Sequence, residues 1–229
     1  TLTVPTAPLT AITGTTLLTC QNNRFKDNST NNFTITINGE TQITEFNPFR
    51  TSTGSSIYFD GTGDYLTTLG NDVFALGTGS FTVEAWIYPT AARGVTLVSS
   101  NYNYSTADGN WSLYFTVGSA STIYFNAGNS TGFANHGSST TVTIPINAWT
   151  HIAYSRYGGN GYFYINGVQL GTAVADTSNY VGSSGLLYIG RQNDGTSQFM
   201  GYIQDFRITK GYARYSANFT PPTTAFIKQ

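Results

Sequence analysis

Apolar and polar residues alternate along short runs of this chain instead of recurring every three or four positions. In residues 81–88, Phe81, Val83, Ala85 and Ile87 share one face and the polar or aromatic residues between them share the other. Runs of this kind, rich in Val, Ile, Thr, Tyr and Phe and bounded by Gly, Asn, Asp or Ser, are typical of strands in a sandwich or barrel. Further strands are predicted over residues 56–59, 111–117, 122–126, 149–156, 161–165, 186–190 and 201–209.

Two Asn-Gly pairs predict tight turns between strands. Asn166-Gly167 separates residues 162–165 from residues 168–170, and Asn38-Gly39 follows the strand-like residues 33–37. A type I′ turn needs positive φ at both central residues, which Asn-Gly adopts at low cost, so two hairpins are expected. Long stretches rich in Asn, Ser, Thr and Gly are predicted to be surface loops, namely residues 99–110, 129–139 and 175–184.

Composition narrows the range of partners. The 229 residues are 39% hydrophobic and only 9% charged, with a net charge of -1 and no run of like charge. Neither nucleic acid nor an anionic membrane surface is expected as a partner, because both need a concentrated basic patch. No apolar stretch reaches the ~18 residues of a membrane span, so no membrane insertion is predicted. Cys20 is the single cysteine, which excludes an intrachain disulfide and predicts a small buried apolar side chain.

Several motifs in one order resemble a laminin-G-like module of the concanavalin-A-like lectin/glucanase superfamily. They lie at residues 56–66, 79–89, 149–154, 164–167, 187–190 and 201–208. The resemblance implies an all-β, two-sheet antiparallel jelly-roll sandwich over residues 17–226, between an extended linker at 1–16 and a tail at 227–229. Residues 2–9 align with residues 219–226, so the linker is either the tail of a preceding repeat or an unrelated extended segment. Residues 208–222 resemble modules common in structural proteins of tailed bacteriophages.

Retaining glycosidase chemistry is not expected. The hydrolases of this superfamily use paired carboxylates two and four residues apart on one strand, because acid and nucleophile must flank the scissile bond. Glu84 has Trp86 and Tyr88 at those spacings, so it is predicted to be a paired residue on the outer face of a sheet. The two histidines lack metal-ligand spacing; His151 is expected to be structural, whereas His136 is predicted to lie in an exposed loop.

Calcium is the metal that the resemblance implies, since laminin-G-like folds often carry one. Asp60 and Asp64 fall in a glycine-rich turn after a strand, and Asp205 is predicted to begin the closing strand, so the three carboxylates are expected to meet at one edge of the sandwich. The alternative is that Asp60 and Asp64 only form the turn, with their side chains accepting from backbone amides.

Glycan binding needs aromatic platforms for the apolar face of a sugar and planar amides or carboxylates for its hydroxyls. Three predicted loops carry this mixture. The candidate ligand-binding residues are Tyr102, Tyr104, Asp108, Asn110, Phe133, Asn135, His136, Asn193 and Asp194.

The expected role is a non-catalytic virion structural or appendage module with a lectin-like fold, at the virion surface, that contacts host-surface glycans. The alternatives are a secreted or cell-surface lectin or adhesin module and an accessory domain of a carbohydrate-active enzyme. Expected partners are a glycan or another virion or cell-surface protein, and the sequence leaves homo-oligomerisation open.

Overall fold

Two antiparallel sheets pack face to face across one apolar core in the computed structural model. It describes residues 11, 13–21, 23–49, 54–70, 72–100, 110–129, 132–181 and 185–221, without the side chains of residues 129, 132 and 133. The predicted all-β jelly-roll sandwich is confirmed. No helix in these ranges is long and apolar enough to span a membrane.

Sheet A contains nine strands and sheet B seven. The strands of sheet A are β1 (Thr15–Thr19), β3 (Gln42–Thr44), β4 (Ser56–Asp60), β6 (Phe81–Pro89), β13 (Thr150–Tyr157), β14 (Asn160–Ile165), β15 (Val168–Gln169), β16 (Val174–Ala175) and β18 (Met200–Lys210). Those of sheet B are β2 (Thr36–Asn38), β5 (Tyr65–Leu69), β7 (Gly94–Ser100), β8 (Trp111–Thr116), β10 (Ile123–Asn129), β11 (Gly132–Gly137) and β17 (Leu186–Ile189). A two-stranded ribbon pairs β9 (Gly118–Ser121) with β12 (Val142–Ile144), and a 3₁₀ helix spans Asp72–Phe74.

The order of the strands places β6 and β18 in the middle of sheet A. That sheet runs β15-β14-β13-β6-β18-β4-β3, with β1 also paired to β18 and β16 to β14. Sheet B runs β11-β10-β8-β7-β17-β5-β2. A bulge between Gln204 and Arg207 shifts the register of β18, and Asp205 within it has a φ of 52°. The bulge lies where the neighbour of β18 changes from β4 to β1.

The predicted alternation in β6 is confirmed by which residues belong to the core, since Thr82 and Glu84 are also buried but lie outside it. Its inward residues Phe81, Val83, Ala85 and Ile87 are fully buried in the shared core. Trp111 of the opposite sheet is fully buried as well, and its Nε1 donates to the Phe74 carbonyl at 2.9 Å. Burying a large apolar side chain stabilises the fold by roughly 1.5–3 kcal/mol. Core burial thus replaces the missing disulfide, and Cys20, which is fully buried, belongs to the same core as predicted.

One of the two predicted hairpins is confirmed and the other is wrong. Asn166 and Gly167 have φ values of 49° and 78° and join β14 to its partner β15. The turn at Asn38-Gly39 instead joins β2, which pairs with β5 in sheet B, to β3, which pairs with β4 in sheet A. A Cβ at Gly39 would collide with the Asp64 carboxylate and the Gly63 carbonyl, so close packing against the next turn, and not a hairpin, requires this glycine.

The surface loop predicted over residues 129–139 is also wrong for most of its length. Residues Gly132–Gly137 form β11, the edge strand of sheet B, which pairs with β10 from Asn129 to Tyr124. Its small and polar composition resembles a loop because an edge strand needs few apolar contacts. His136 is therefore a strand residue, not part of an exposed loop.

Candidate functional site

Glu84 lies on the outer face of sheet A in a buried ionic cluster, where it was predicted to be a paired residue. Its Oε1 accepts from Nε and Nη2 of Arg207 at 2.8 and 2.6 Å and lies 3.1 Å from Nε of Arg214. Its Oε2 accepts from the Tyr215 hydroxyl at 2.5 Å and lies 3.2 Å from Nε2 of His151. Glu84, His151 and Arg207 are fully buried. We refer to these five residues as the ionic cluster.

The electrostatics of the ionic cluster keep Glu84 charged. Burial alone would raise the pKa of Glu84, but Arg207, the hydrogen bond from His151 and Arg214 together hold that pKa well below its ordinary value. Burial and the neighbouring Glu84 raise the pKa of the Tyr215 phenol. A carboxylate that is ionised at neutral pH and has both oxygens engaged is unsuited to transfer protons, so the geometry assigns Glu84 to structure.

The C-terminal segment 211–221 covers this face of sheet A. Gly211 donates to the Ser80 carbonyl at 2.8 Å, Arg214 donates from its backbone to Thr82 Oγ1 at 2.9 Å, and Phe219 donates to the Gly167 carbonyl at 2.8 Å. The Phe219 ring stacks on Tyr215 with 3.5 Å between centroids. The outer face around the ionic cluster is thus an internal surface of the domain.

A second buried cluster surrounds Asp176 and accounts for His136. Asp176 accepts from the hydroxyls of Tyr154 and Tyr180 at 2.6 and 2.8 Å and pairs with Arg156 at 3.3 Å. Nε2 of His136 lies 2.9 Å from Ser178 Oγ and 3.4 Å from the Asp176 carboxylate. His136 therefore anchors the edge strand to the chain after β16.

The three aspartates predicted to bind calcium do not meet. Asp64 is buried and accepts from the backbone amides of Glu40 at 2.6 Å and Asp60 at 2.9 Å, and Asp60 accepts from the Thr62 amide at 2.6 Å. Asp205 lies within β18, not at its start, five residues beyond Met200, which pairs with Asp60. At about 3.3 Å per residue this separates them by roughly 16 Å.

No group of three or more His, Cys, Asp or Glu residues suited to hold a metal occurs among the described residues. The alternative interpretation of Asp60 and Asp64 as turn-forming residues matches the hydrogen bonds found. Calcium binding at this turn stays a prediction, now without Asp205.

The predicted ligand-binding residues divide between the two ends of sheet B. Tyr102, Tyr104 and Asp108 lie outside the described residues. Asn110 is buried beside the end of β7, and its carbonyl accepts from the Gly128 amide at 2.7 Å; Phe133 pairs with the same Gly128 in β11.

Asn193 and Asp194 belong to the turn after β17, near the start of β7, where the Thr96 amide donates to the Ser197 carbonyl at 2.8 Å. Asp194 is exposed and accepts from the amide and the hydroxyl of Thr196 at 2.8 and 2.7 Å. Since Thr96 lies four residues before Ser100 at the end of β7, roughly 13 Å of strand separates these two groups.

The outer face of sheet B carries hydroxyl and amide side chains in one continuous row. Successive cross-strand partners from β11 to β2 are Asn135, Asn126, Ser112, Ser99, Tyr188, Thr67 and Thr36. Because the intervening residues Leu113 and Phe125 belong to the core, this row faces away from it. Of the predicted ligand-binding residues, only Asn135 falls in the row, and it is exposed.

Some polar atoms of this face are buried without a partner in the described residues. They include Asn126 Oδ1 and Thr96 Oγ1, although Asn126 Nδ2 lies 3.5 Å from Ser112 Oγ. Buried polar atoms ordinarily have a hydrogen-bond partner. Because both side chains are buried, ordered water is the partner that could satisfy these acceptors.

Four half-buried tyrosines stand on the same face, and we call them the tyrosine face: Tyr65, Tyr114, Tyr124 and Tyr188. Tyr65 and Tyr188 have ring centroids 6.0 Å apart, and Tyr114 and Tyr124 have theirs 6.1 Å apart. The rings of Tyr114 and Tyr124 lean over glycines of the neighbouring strands, because a Cβ at Gly94 would collide with Tyr114 and one at Gly137 would lie 2.8 Å from Tyr124. These two rings lie along the sheet, with their planes tilted by 39° to each other.

The cation of this face is Arg191, at the start of the turn after β17. The carbon of its guanidinium group lies 3.6 Å from the centroid of Tyr65 and 5.2 Å from that of Tyr188. The turn is joined to the Asp60–Asp64 turn by Gln198, whose Oε1 accepts from the Gly63 amide at 2.5 Å. Aromatic rings, amides and one cation thus share one side of the sandwich.

Sequence reasoning missed the tyrosine face because it looked for ligand-binding residues in loops. The available signal was the strand alternation itself. Tyr114 and Tyr124 occupy outward positions between core residues, and glycines stand where their rings lie. The cross-strand register that brings these tyrosines beside their glycines is not visible in one sequence.

The comparisons with known proteins agree with this architecture. The sequence model of the Laminin_G_3 family, described as the concanavalin A-like lectin/glucanases superfamily, matches residues 60–214. The chain belongs to this family. No curated protein sequence matches it.

Solved structures that share this fold include the binding domains of two toxins. The binding domain of Paraclostridial Mosquitocidal Protein 1 superposes with a TM-score of 0.66 at 16% identity over 88% of this chain and 50% of that one. The binding domain of Botulinum Neurotoxin DC, in complex with SialylT, superposes with a TM-score of 0.60 at 17% identity, over 86% of this chain and 48% of that one. This chain thus spans about half of each toxin domain.

A third structure is matched over nearly its whole length. Domain 4 of AbnA, an extracellular arabinanase from Geobacillus stearothermophilus, in complex with arabinotriose, gives a TM-score of 0.61 at 18% identity over 86% of this chain and 94% of that domain. Identities this low support the shared fold, which is that of a lectin-like binding domain.

Proposed function

We propose that this chain is a non-catalytic, glycan-binding module of a virion structural or appendage protein, and that the outer face of sheet B binds the glycan. The tyrosine face carries the proposal. Its rings offer apolar surface of the kind that packs on a sugar ring, and Asn135 and Thr36, the exposed residues of the hydroxyl and amide row, offer partners for sugar hydroxyls.

The structural neighbours support a binding role over a catalytic one. Domain 4 of the arabinanase was solved with arabinotriose, and it is the neighbour that this chain matches almost end to end. Glu84 is ionised and both of its oxygens are engaged, so it is not available as a general acid.

The glycan proposal is tested on an array of host-surface and plant-type glycans with native protein and the double variant Tyr114→Ala, Tyr124→Ala. We expect binding by the native protein and a loss of at least tenfold in affinity, about 1.4 kcal/mol, in the double variant. Tyr212→Ala is the matched control, because Tyr212 is 56% exposed and lies beyond the end of β18. Equal affinity of the native protein and the double variant would exclude the tyrosine face as the site.

The virion assignment is supported by the resemblance of residues 208–222 to modules of tailed-bacteriophage structural proteins. Peptides of this chain should be found by mass spectrometry in purified particles of the phage that encodes it. Repeated failure to find them, at a depth that detects minor tail proteins, would overturn the assignment and leave glycan binding to be judged on its own test.

A second candidate is an accessory carbohydrate-binding domain of an enzyme, and the match to domain 4 of the arabinanase favours it. The two candidates differ in gene context. A catalytic domain encoded in the same reading frame would favour the accessory role, whereas adjacent capsid or tail genes would favour the virion module.

A further inference from the structure

Arg191 differs from the other described arginines whose side chains are largely shielded from water. Arg156 pairs with Asp176, and Arg207 and Arg214 pair with Glu84. Arg191 has no carboxylate partner among the described residues, and its Nε is buried without an acceptor there. Two tyrosine rings hold its guanidinium group instead.

The carboxylates of the neighbouring turns do not form an ion pair with Arg191. Asp194, in the same turn, uses one carboxylate oxygen for the amide and the hydroxyl of Thr196. Asp64, in the adjoining turn, is buried and accepts from two backbone amides. Arg93, a second cation near that turn, is exposed, with Nη1 4.0 Å from the Met200 sulfur.

A stacked guanidinium group without a partner is well suited to recognise an oxyanion. Its planar set of N–H donors matches the geometry of a carboxylate, sulfate or phosphate, often through two parallel hydrogen bonds. Stacking on Tyr65 fixes the plane of the guanidinium group before a ligand arrives, which reduces the conformational entropy lost on binding. With 9% charged residues and a net charge of -1, the chain has no broad positive field that would attract anions elsewhere.

We propose that Arg191 makes the tyrosine face selective for saccharides that carry an acidic group. The inference rests on the proposed function, since it places the acidic group of the glycan against Arg191 while its ring packs on the tyrosines. Tyr65 and Tyr188 then act as positioning residues for the guanidinium group.

The test uses matched pairs of probes that differ only in the acidic group. Oligogalacturonate and its methyl ester test recognition of a carboxylate. Dextran sulfate and dextran test recognition of a sulfate, and phosphomannan and mannan test recognition of a phosphate. Calorimetric titration of native protein should show at least tenfold tighter binding to the acidic member of one pair. The variant Arg191→Gln should bind both members of that pair with the same weak affinity, and Arg191→Lys, which keeps the charge but not the planar fork, should lie between.

The matched control is Arg93→Gln, which removes the neighbouring exposed cation and should leave the preference unchanged. Melting temperatures of all three variants verify that they are folded. A native protein that binds glycans without preferring the acidic member, or an Arg191→Gln variant that keeps the preference, overturns the inference and leaves the proposed function standing. If native protein binds no saccharide in the pairs or on the broad array, both fail.

Discussion

On sheet A, the outward residues of β6 and β18 include Glu84, Trp86 and Arg207, and the chain covers them with its own segment 211–221. On sheet B, the outward residues of β8 and β10 include Tyr114 and Tyr124, whose rings rest on glycines of neighbouring strands. Both faces follow the same alternation of inward apolar residues. The difference shows that an outer face needs to be judged by what stays accessible on it. Ser99, Ser112 and Asn126 of sheet B are buried like the polar groups of sheet A, whereas the four tyrosines of sheet B are half-buried.

Each face also has its own type of cation. On sheet A, Arg207 and Arg214 both pair with one carboxylate, that of Glu84, within the fold. On sheet B, Arg191 is held by aromatic rings alone. The first arrangement stabilises the domain and the second leaves a charge for a ligand.

Removing the carboxylate of the ionic cluster should have the largest effect on stability. In Glu84→Gln, Arg207 and Arg214 lose their anionic partner while buried, so we expect the free energy of unfolding to fall by about 3–5 kcal/mol. Urea unfolding measures the change, and Glu45→Gln, at an exposed position, should change it by less than about 0.5 kcal/mol. A loss below about 1 kcal/mol in Glu84→Gln would show that the cluster is not what fixes segment 211–221 to sheet A.

Low pH should reduce the stabilisation that the ionic cluster gives to the outer face of sheet A. The pKa of Glu84 is held below its ordinary value, so its stabilisation is present above about pH 4.3 and is lost as the pH falls from there toward the depressed pKa. Melting temperatures at pH 5 and pH 3 should therefore fall further in the native protein than in Glu84→Gln. Parallel pH profiles of the two proteins would contradict the assignment of the depressed pKa to this carboxylate.

Replacing a buried amide on sheet A should have a smaller effect on stability, and it should raise the free energy of unfolding instead of lowering it. Gln204 is fully buried, and neither atom of its amide has a partner in the described residues. Since an unsatisfied buried amide is destabilising, Gln204→Met, of similar volume, should raise the free energy of unfolding by about 1 kcal/mol. Destabilisation of that size instead would indicate an ordered water that satisfies the amide.

The smallest effect is expected at the turn beside Arg191. If calcium binds there as the sequence predicts, adding it to EDTA-stripped protein should release heat and raise the melting temperature, and Asp60→Asn should abolish both. If Asp60→Asn releases the same heat as native protein when calcium is added, the ion binds elsewhere. If native protein shows neither heat nor a shift in melting temperature when calcium is added, the calcium site does not exist.

The sequence predicted the fold well because alternation in strands such as β6 is a local property, and the residues predicted to face inward belong to the core. It failed at Asn38-Gly39, since a turn motif does not say whether the next strand pairs in the same sheet. It also failed at β11, whose Asn- and Gly-rich edge strand has the composition of a loop. Local composition can indicate a turn, but which strands pair with each other depends on residues that are distant in the sequence.

The candidate site was predicted only in kind. Tyrosines and amides were expected to bind a glycan, but the residues chosen in loops lie toward opposite ends of sheet B, and His136 is used for structure. The tyrosine face depends on cross-strand neighbours such as Tyr124 and Gly137, which are far less evident in sequence than a loop rich in Tyr and Asn.

The most direct test of the difference between the two faces is an NMR titration of protein with ¹³C-labelled tyrosine rings, using a glycan that the array identifies. The ring signals of Tyr65, Tyr114, Tyr124 and Tyr188 should shift with the bound fraction, while that of Tyr215, beneath segment 211–221 on sheet A, should stay unchanged. Shifts confined to sheet A, or binding that leaves all four tyrosines of sheet B unperturbed, would contradict the account.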